Sequence, residues 1–461
     1  MQFNEVALQS KEQRLDSILE REDLLREVLH EFSKGRPCEA TLVKRPWEPG
    51  GGSSLFSLQV AESSYFLKVK SNEVLVESKL EGEPAFKDTP SLRNESEFLR
   101  KVRSAAPNTP QFFEYVERDG HGFLFLEQLS PFEEGVARLS AAGLLRAYKE
   151  IEATVRKLFD MGIVHTDVHE NNITFRNDTP VLVDFEEARA LAQSTPFEQS
   201  LDVAGRNDLG DVGEMPASEG TLGGLTCLRR LEQVFRQLIT PKVDALVREC
   251  NFDSACPYLK ALDHGDDDRI YQSIKLPGLE VAGQRPLNDK RIDLIDEISR
   301  ALFSHPFTHL DVGSNIGVFN IELEKRGLVE RTIGVEAHHK YIELAQVLAF
   351  LNSCQRTTFI RAECGIDRLC DLIDGPSIDL VTVYSVYHHI PNREVFLEDL
   401  KRLGARYLML EMAVQPECYD GRTWEDEIAS LCAALEMPNA RLLAYSDDYA
   451  RPIVLVSREK L

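Results

Sequence analysis

One spacing constrains this chain more than any other. His165-Thr166-Asp167 is followed five residues after the aspartate by Asn172, and twelve further on Asp184 opens Asp184-Phe185-Glu186 after the apolar run PVLV. Two carboxylates and an amide at these intervals fit a loop that returns along a strand, so that the polar groups converge. Asn172 and Asp184 are then candidate ligands for Mg²⁺ bridging phosphates, and Asp167 is left to handle the proton of an acceptor hydroxyl.

The upstream chain supplies what such a site lacks. Residues 4–34 have helical spacing, stopped by Gly35 and Pro37. ATLVKRP, LFSLQV and YFLKVK read as three strands joined by turns, with a glycine cluster between the first two. Gly50, Gly51 and Gly52 would let backbone amides approach the phosphates of ATP; a flexible hairpin turn is the equal alternative on that evidence alone. Lys68 in YFLK stands where a strand lysine neutralises phosphates, with Lys70 as its competitor. Glu95, on the helical segment 88–103, is the carboxylate expected to hold it, ahead of Glu97.

These motifs resemble the protein-kinase-like superfamily over roughly residues 39–250, and within it the small-molecule, lipopolysaccharide and aminoglycoside kinases. HTDVHENN replaces H-R-D-L-x-x-x-N, DFE replaces DFG, and no A-P-E is visible. The resemblance implies an always-on kinase for a soluble or glycan hydroxyl, using ATP and Mg²⁺. It makes Asp167 and Lys68 catalytic, and makes GFLFLEQL the segment between lobes, with backbone at Glu127 to Leu129 reading adenine. His165 is expected to pack the loop. His169 and Asn171 are expected to be solvated.

A second pattern begins at 291, where helices and strands alternate, which implies a parallel sheet with right-handed crossovers. LDVGSNIG at 310–317 follows a strand and opens a helix. Asp311, Gly313 and Gly317 fit D-x-G-x-x-x-G, with Asn315 inside the turn, and resemble the first motif of class I S-adenosylmethionine-dependent methyltransferases. Glycine there lets the backbone approach the cofactor. Glu336 ends the next strand, where an acid can take both ribose hydroxyls. Glu363 would face the adenine amino group. Tyr384 opens YSVY in the fourth motif, which borders the substrate and lacks the N-P-P-Y form, and the resemblance counts it among the cofactor-binding residues. His388 and His389 follow; one contacts the acceptor or takes its proton, or both are loop residues.

The fold class expected is thus two-domain: an α+β bilobal protein-kinase-like domain followed by an α/β Rossmann-like class I methyltransferase domain. The boundaries are an N-terminal helical segment at 1–38, the kinase-like domain at 39–250, a linker at 251–290 and the methyltransferase domain at 291–461. A formal charge of −23 argues against nucleic acid and anionic lipid as general partners. Nine scattered cysteines without a CxxC pair read as reduced thiols of a cytoplasmic protein. No run approaches the ~18 apolar residues of a membrane span, so membrane association is expected only peripherally, through a partner.

The pairing of activities resembles the bifunctional kinase–methyltransferases that cap bacterial O-antigen polysaccharides, with the domain order reversed and no heptad array. The resemblance implies that the kinase product is the methyl acceptor, in surface polysaccharide biosynthesis. A small-molecule (antibiotic or nucleoside) kinase/methyltransferase, and a scaffold with one inactive domain, are the alternatives. The sequence leaves acceptor identity and oligomeric state open.

Overall fold

The computed structural model describes residues 21–44, 53–71, 92–103, 105–165, 167–190, 220–250, 270–276, 279–283, 285, 289–375, 377–446 and 450–460. By packing, the chain divides into two compact units, residues 1–139 with 146–235, and residues 140–145 with 236–461.

In the first unit, helix α1 (Glu22–Ser33) precedes strands β1 (Cys38–Lys44), β2 (Ser54–Val60) and β3 (Ser63–Ser71). Helix α2 (Leu92–Val102) and strands β4 (Phe112–Arg118) and β5 (His121–Glu127) follow. The strands form an antiparallel sheet in the order β1-β2-β3-β5-β4. Helix α1 ends where Lys34 turns left-handed before Gly35. Its Leu24, Val28 and Leu29 lie one helical face apart and bury against Phe56, Leu67, Val69 and Phe125 of the sheet. Each such side chain contributes about 1.5–3 kcal/mol. Phe32 stacks on Phe125, with ring centroids 3.9 Å apart.

Helices α3 (Phe132–Arg138) and α4 (Ala141–Asp160) then lead to short strands β6 (Ile163–Val164), β7 (Ile173–Arg176), β8 (Thr179–Leu182) and β9 (Arg189–Ala190). β7 and β8 form a hairpin, and β6 pairs with β9. The HTDVHENN loop lies between β6 and β7, and Asp184 just after β8. The expected return of a loop along a strand is therefore present. Helix α5 (Gly220–Ile239) is followed by α6 (Val243–Glu249). α6 belongs by packing with the second unit, where Lys340 pairs with Glu249 at 2.7 Å and accepts the Cys250 thiol on its carbonyl at 3.2 Å.

Within the expected linker, β10 (Ile274–Leu276) and β11 (Leu279–Val281) make a small hairpin. The second unit continues with α7 (Lys290–Leu302), β12 (Phe307–Val312), α8 (Val318–Lys325), β13 (Val329–Glu336), α9 (His339–Leu351), β14 (Thr357–Arg361) and α10 (Leu369–Leu372). β15 (Leu380–Tyr384), α11 (Arg393–Arg402), β16 (Tyr407–Glu411), α12 (Trp424–Leu435), β17 (Asn439–Tyr445) and β18 (Pro452–Ser457) complete it.

The sheet order is β14-β13-β12-β15-β16-β18-β17. Pairing is parallel from β14 through β16. One strand departs from the expected parallel arrangement: β18 runs antiparallel to both of its neighbours, β16 and β17, so β17 points the same way as β16. β17 ends at Tyr445 and β18 begins at Pro452, too few residues apart for a crossover helix, so β18 must reverse. Apolar clusters cover the sheet on both sides, one around Leu310, Val381 and Leu408, the other around Phe307, Phe319 and Met409. β12, β15 and β16 are buried throughout. The strand order reverses at β12, and that switch point is where open α/β sheets bind ligands.

Candidate active sites

The first site is assembled around Lys68. Strand β3 carries it toward α2, whose buried face includes Glu95 along with Phe98 and Leu99. A carboxylate on an apolar helix face needs a partner. Lys68 Nζ lies 3.0 Å from Glu95 Oε2, 2.7 Å from Asp184 Oδ1 and 2.7 Å from Glu186 Oε1. Burial pulls the ammonium's pKa down, but the charges of Glu95, Asp184 and Glu186 outweigh it and hold it well above the ordinary lysine value. The other Glu95 oxygen accepts the Phe185 N–H at 3.2 Å, tying α2 to the DFE segment.

Asp184 itself sits at φ 65°, ψ 68°, in the left-handed region. A non-glycine residue there costs about 1–2 kcal/mol. The pairing with Lys68 offsets that cost. Burial pushes the Asp184 carboxyl up, and Lys68 more than reverses the shift, so it stays ionised.

The loop before it is locked by its histidine. His165 donates from Nε2 to the Val183 carbonyl at 2.9 Å, accepts the Asp167 N–H on Nδ1 at 3.4 Å, and packs edge-on against Phe185. Burial depresses its pKa, which keeps the ring neutral for both roles. The Asn172 amide donates to the Asp167 carbonyl at 2.9 Å and to its Oδ2 at 3.0 Å. The Val183 N–H donates to the Asn172 carbonyl at 2.9 Å, which sets Asn172 beside the chain entering Asp184.

Three side chains enter the site that sequence reasoning placed elsewhere or passed over. His169 was expected to be solvated; its Nε2 lies 3.2 Å from Asp167 Oδ2, while Nδ1 accepts the Asn171 N–H. Glu186 bridges Lys68 and Lys70, at 2.7 and 2.5 Å, and accepts the Ser53 hydroxyl at 3.0 Å. Lys70, treated as a rival of Lys68, shares its face of β3 because strand side chains alternate. Only the phrase DFE, in place of DFG, marked the position as unusual.

Carboxylate oxygens of Glu95, Asp184 and Glu186 lie within 4.8 Å of one another. These three carboxylates face two lysines. That donor set fits a hard divalent cation, and Asp184, Asn172 and Glu186 are the residues that could hold Mg²⁺. Gly50, Gly51 and Gly52 lie outside the described residues. Glu127 ends β5; its N–H donates to the Gln111 carbonyl, and Arg176 grips its carboxylate. Leu129 follows in the segment before Ser130, which pairs with Phe175 in both directions.

The second site sits at the carboxyl end of β12. Gly313 adopts φ 72° and Gly317 φ 75°. A Cβ on Gly313 would come within 2.9 Å of Val386, and one on Gly317 within 2.3 Å of the Phe359 ring. The turn is pinned to β13, because the N–H groups of Gly313 and Ser314 both donate to the Val335 carbonyl. Glu336 closes the turn from β13. Its carboxylate accepts the N–H groups of Asn315 and His338, each at 3.0 Å.

Asp311 is 2% exposed. Its Oδ1 accepts the Thr382 hydroxyl at 2.7 Å, while Oδ2, buried, has no protein partner. Burial, against the pull of Thr382 and Arg291, raises its pKa to about 7. Ser314 Oγ and Asn315 Oδ1 are likewise buried without a partner. Orphaned polar atoms around a glycine turn at a sheet switch point fit the methionine end of S-adenosylmethionine. Asp311 and Glu336 are the carboxylates placed for its ammonium and ribose.

Glu363 is exposed just beyond β14, its N–H donating to Asp367 Oδ2 at 2.8 Å. Tyr384 turns its ring into the core between Phe319 and Arg291, with its hydroxyl on Met409 sulfur at 2.6 Å. That side chain is therefore engaged by the fold, against its expected place at the cofactor. Beneath it runs a buried ion pair that sequence reasoning missed, Arg291 with Glu411 at 2.8 Å, extended to Asp289 at 2.5 Å. Glu411 also accepts the Ser385 hydroxyl at 2.6 Å. Residues 290–302 showed a helical period but gave no sign that Arg291 would be interior. His388 and His389 pack 3.9 Å apart. Burial, with His389, Arg451 and Arg393 nearby, drives the His388 pKa down to about 3.

Residues 97–190 match the model of the phosphotransferase enzyme family, and residues 310–406 match that of a methyltransferase domain. No curated protein matches the chain. Among solved structures, the bifunctional kinase-methyltransferase WbdD is 26% identical over 44% of this chain and 46% of that one, with a TM-score of 0.34. A SAM dependent methyltransferase from Aquifex aeolicus is 14% identical over 36% of this chain and 96% of its own, with a TM-score of 0.28. The chain thus covers less than half the length of WbdD. Its N-terminal half carries a kinase-like domain of the phosphotransferase type, and its C-terminal half carries a class I methyltransferase domain.

Proposed function

We propose that this chain phosphorylates a hydroxyl of a sugar or glycan with ATP and Mg²⁺, then methylates that product on the new phosphate with S-adenosylmethionine. The setting is the biosynthesis of a surface polysaccharide, at the cytoplasmic face of the membrane. No described helix is long and apolar enough to cross a membrane.

The observation that carries the kinase half is the meeting of Lys68, Glu95 and Asp184 with a loop that presents Asp167. In this reading Asp167 takes the acceptor hydroxyl's proton, with its carboxylate oriented by the Asn172 amide and the His169 ring. Lys68 turns from its carboxylates to the nucleotide's phosphates. Mg²⁺, when bound, draws off the charge that develops on those phosphates. Asp184, Asn172 and Glu186 supply its protein oxygens.

The phosphate acceptor is favoured by the histidines. A general base works best with a pKa near the operating pH, and His388 is held near 3. A hydroxyl acceptor would need a base there. A phosphate monoester already carries about −1.5 to −2 charge near neutral pH and needs none.

The test is incubation of the purified protein with ATP, S-adenosylmethionine and oligosaccharide acceptors, reading mass gains for phosphoryl and methyl groups separately. The sequential reading expects methyl gain only on phosphorylated acceptor. Methyl gain without ATP would overturn it.

A further inference from the structure

The middle of the methyltransferase sheet holds polar groups where its neighbours are apolar. His309 is fully buried on β12, two residues before Asp311 and on the same face. Register places Thr332 of β13 opposite His309, and Thr382 of β15 opposite Asp311. Both threonines are fully buried, as is Asn320 of α8.

These groups form one continuous chain of hydrogen bonds. The Asn320 amide donates to Thr332 Oγ1 at 2.8 Å. His309 Nδ1 meets Thr332 Oγ1 at 2.9 Å, and its Nε2 meets Thr382 Oγ1 at 2.9 Å. Thr382 Oγ1 donates to Asp311 Oδ1 at 2.7 Å. The polarity follows from counting protons. Thr382 has one, given to the carboxylate, so His309 must donate to it from Nε2. A neutral ring then accepts on Nδ1, and Thr332 has its own proton to give because Asn320 supplies the other bond. Burial depresses the His309 pKa to about 3, which keeps the ring neutral. Every donor in the chain points toward Asp311.

We propose that His309, Thr332 and Thr382 are positioning residues, a directional relay that fixes the orientation of the Asp311 carboxylate toward the cationic end of S-adenosylmethionine. The proposal rests on the reading of this domain as a binder of that cofactor. Thr382 occupies Oδ1, so Oδ2 is the oxygen left for the ligand. The charged groups facing Asp311 from other elements are Arg291 of α7, which favours ionisation, and Glu336 of β13, which opposes it. Burial pushes the carboxyl up to about 7, against the pull of Thr382 and Arg291. A ligand ammonium on Oδ2 favours the ionised form. Binding near neutral pH therefore releases a proton, and affinity must fall as pH drops below that value.

The test uses the full chain and S-adenosylhomocysteine, which keeps the ammonium and cannot react. Affinity is measured by titration calorimetry from pH 5.5 to 8.5, with melting temperature as the control for folding. Wild type should lose affinity below pH ~7, approaching tenfold per pH unit. Thr382→Val should move that inflection up by about one pH unit, the shift that one charge-assisted hydrogen bond is worth. Thr382→Ser should restore it. His309→Leu and Thr332→Val should move it the same way by less, and they read the relay from its far end if Thr382→Val does not fold. A folded Thr382→Val or His309→Leu protein with the wild-type pH profile would overturn the relay. A wild type that binds no S-adenosylhomocysteine would instead overturn the cofactor reading itself, and the relay with it.

Discussion

The two sites treat charge in opposite ways. Around Lys68 the charged groups have found each other: one ammonium holds three carboxylates, and Glu186 spans two lysines. Around Asp311 the carboxylate keeps one buried oxygen without a partner, and Ser314 and Asn315 each keep another. The first site must exchange internal partners for those of its ligands. The second has its polar atoms already waiting. Substitutions should therefore act on rate and nucleotide affinity in the first unit, and on cofactor affinity and local stability in the second.

The largest effect should separate the two units outright. Asp167→Asn keeps the hydrogen-bonding shape of the loop but cannot take a proton. Phosphoryl transfer should fall by about 10²–10⁴-fold, the usual worth of a general base, while ATP still binds. Acceptor phosphorylated beforehand should be methylated at the wild-type rate. Asp184→Asn should weaken Mg²⁺-dependent nucleotide binding as well. Near-normal turnover in either variant would remove these residues from the mechanism and, with them, the contrast drawn between the units.

Gly317→Ala should show the reverse selectivity. The new Cβ meets the Phe359 ring at 2.3 Å, and the residue needs φ 75°. Overpacking and left-handed strain together should cost about 2–5 kcal/mol. The second unit should melt earlier and lose cofactor affinity, with phosphoryl transfer kept. A single melting transition, with both activities lost together, would show that the units fold as one.

The difference between the sites also explains what could be read from sequence. Asp167, Asn172 and Asp184 could be grouped from sequence because their spacings lie along one loop and one hairpin, whereas Lys68, on β3, could be picked out only by its likeness to a strand-lysine motif. The antiparallel strand was not legible. β18 is buried throughout, and a continuous apolar run reads the same in either direction, so nothing local marks its reversal. Glu186 and His169 were missed because their partners, Lys70 and Asp167, are chosen by the tertiary fold and by side-chain rotamers. Tyr384 misled for the opposite reason. Its motif position suggested the cofactor, but alternation in β15 turned the ring to the core. His309 read as one more residue of a buried strand, since a histidine's hydrogen bonds across strands depend on register.

A smaller effect tests whether Glu186 belongs to the first site or only braces it. Glu186→Gln removes a charge from both lysines while keeping the shape. If the carboxylate serves the metal, KM for Mg²⁺-ATP should rise about tenfold, the worth of one charge-assisted contact, with a smaller change in kcat. Lys70→Met should leave Glu186 on Lys68 and cost less. An unchanged KM in Glu186→Gln would make the bridge a surface brace.

The smallest effect expected is the one that bears most on the acceptor. His388 follows the fourth motif, and its pKa is pushed down to about 3 by burial and by His389, Arg451 and Arg393. Its folded value is lower than its unfolded one, so the ring stays neutral throughout pH 6–9 and contributes no inflection there. As a base it would be too weak to matter, and as a neutral ring it can only position. His388→Gln should therefore cost methyl transfer less than about tenfold, against the 10²–10⁴-fold of a lost general base, and leave the pH–rate profile unchanged in shape. Asp311→Asn should cost more, and should remove the loss of cofactor affinity below neutral pH. A large loss in His388→Gln, together with the loss of an inflection on the acid limb, would mean that the second site deprotonates its acceptor. The acceptor would then be a hydroxyl or amine, and methylation would not depend on the kinase product.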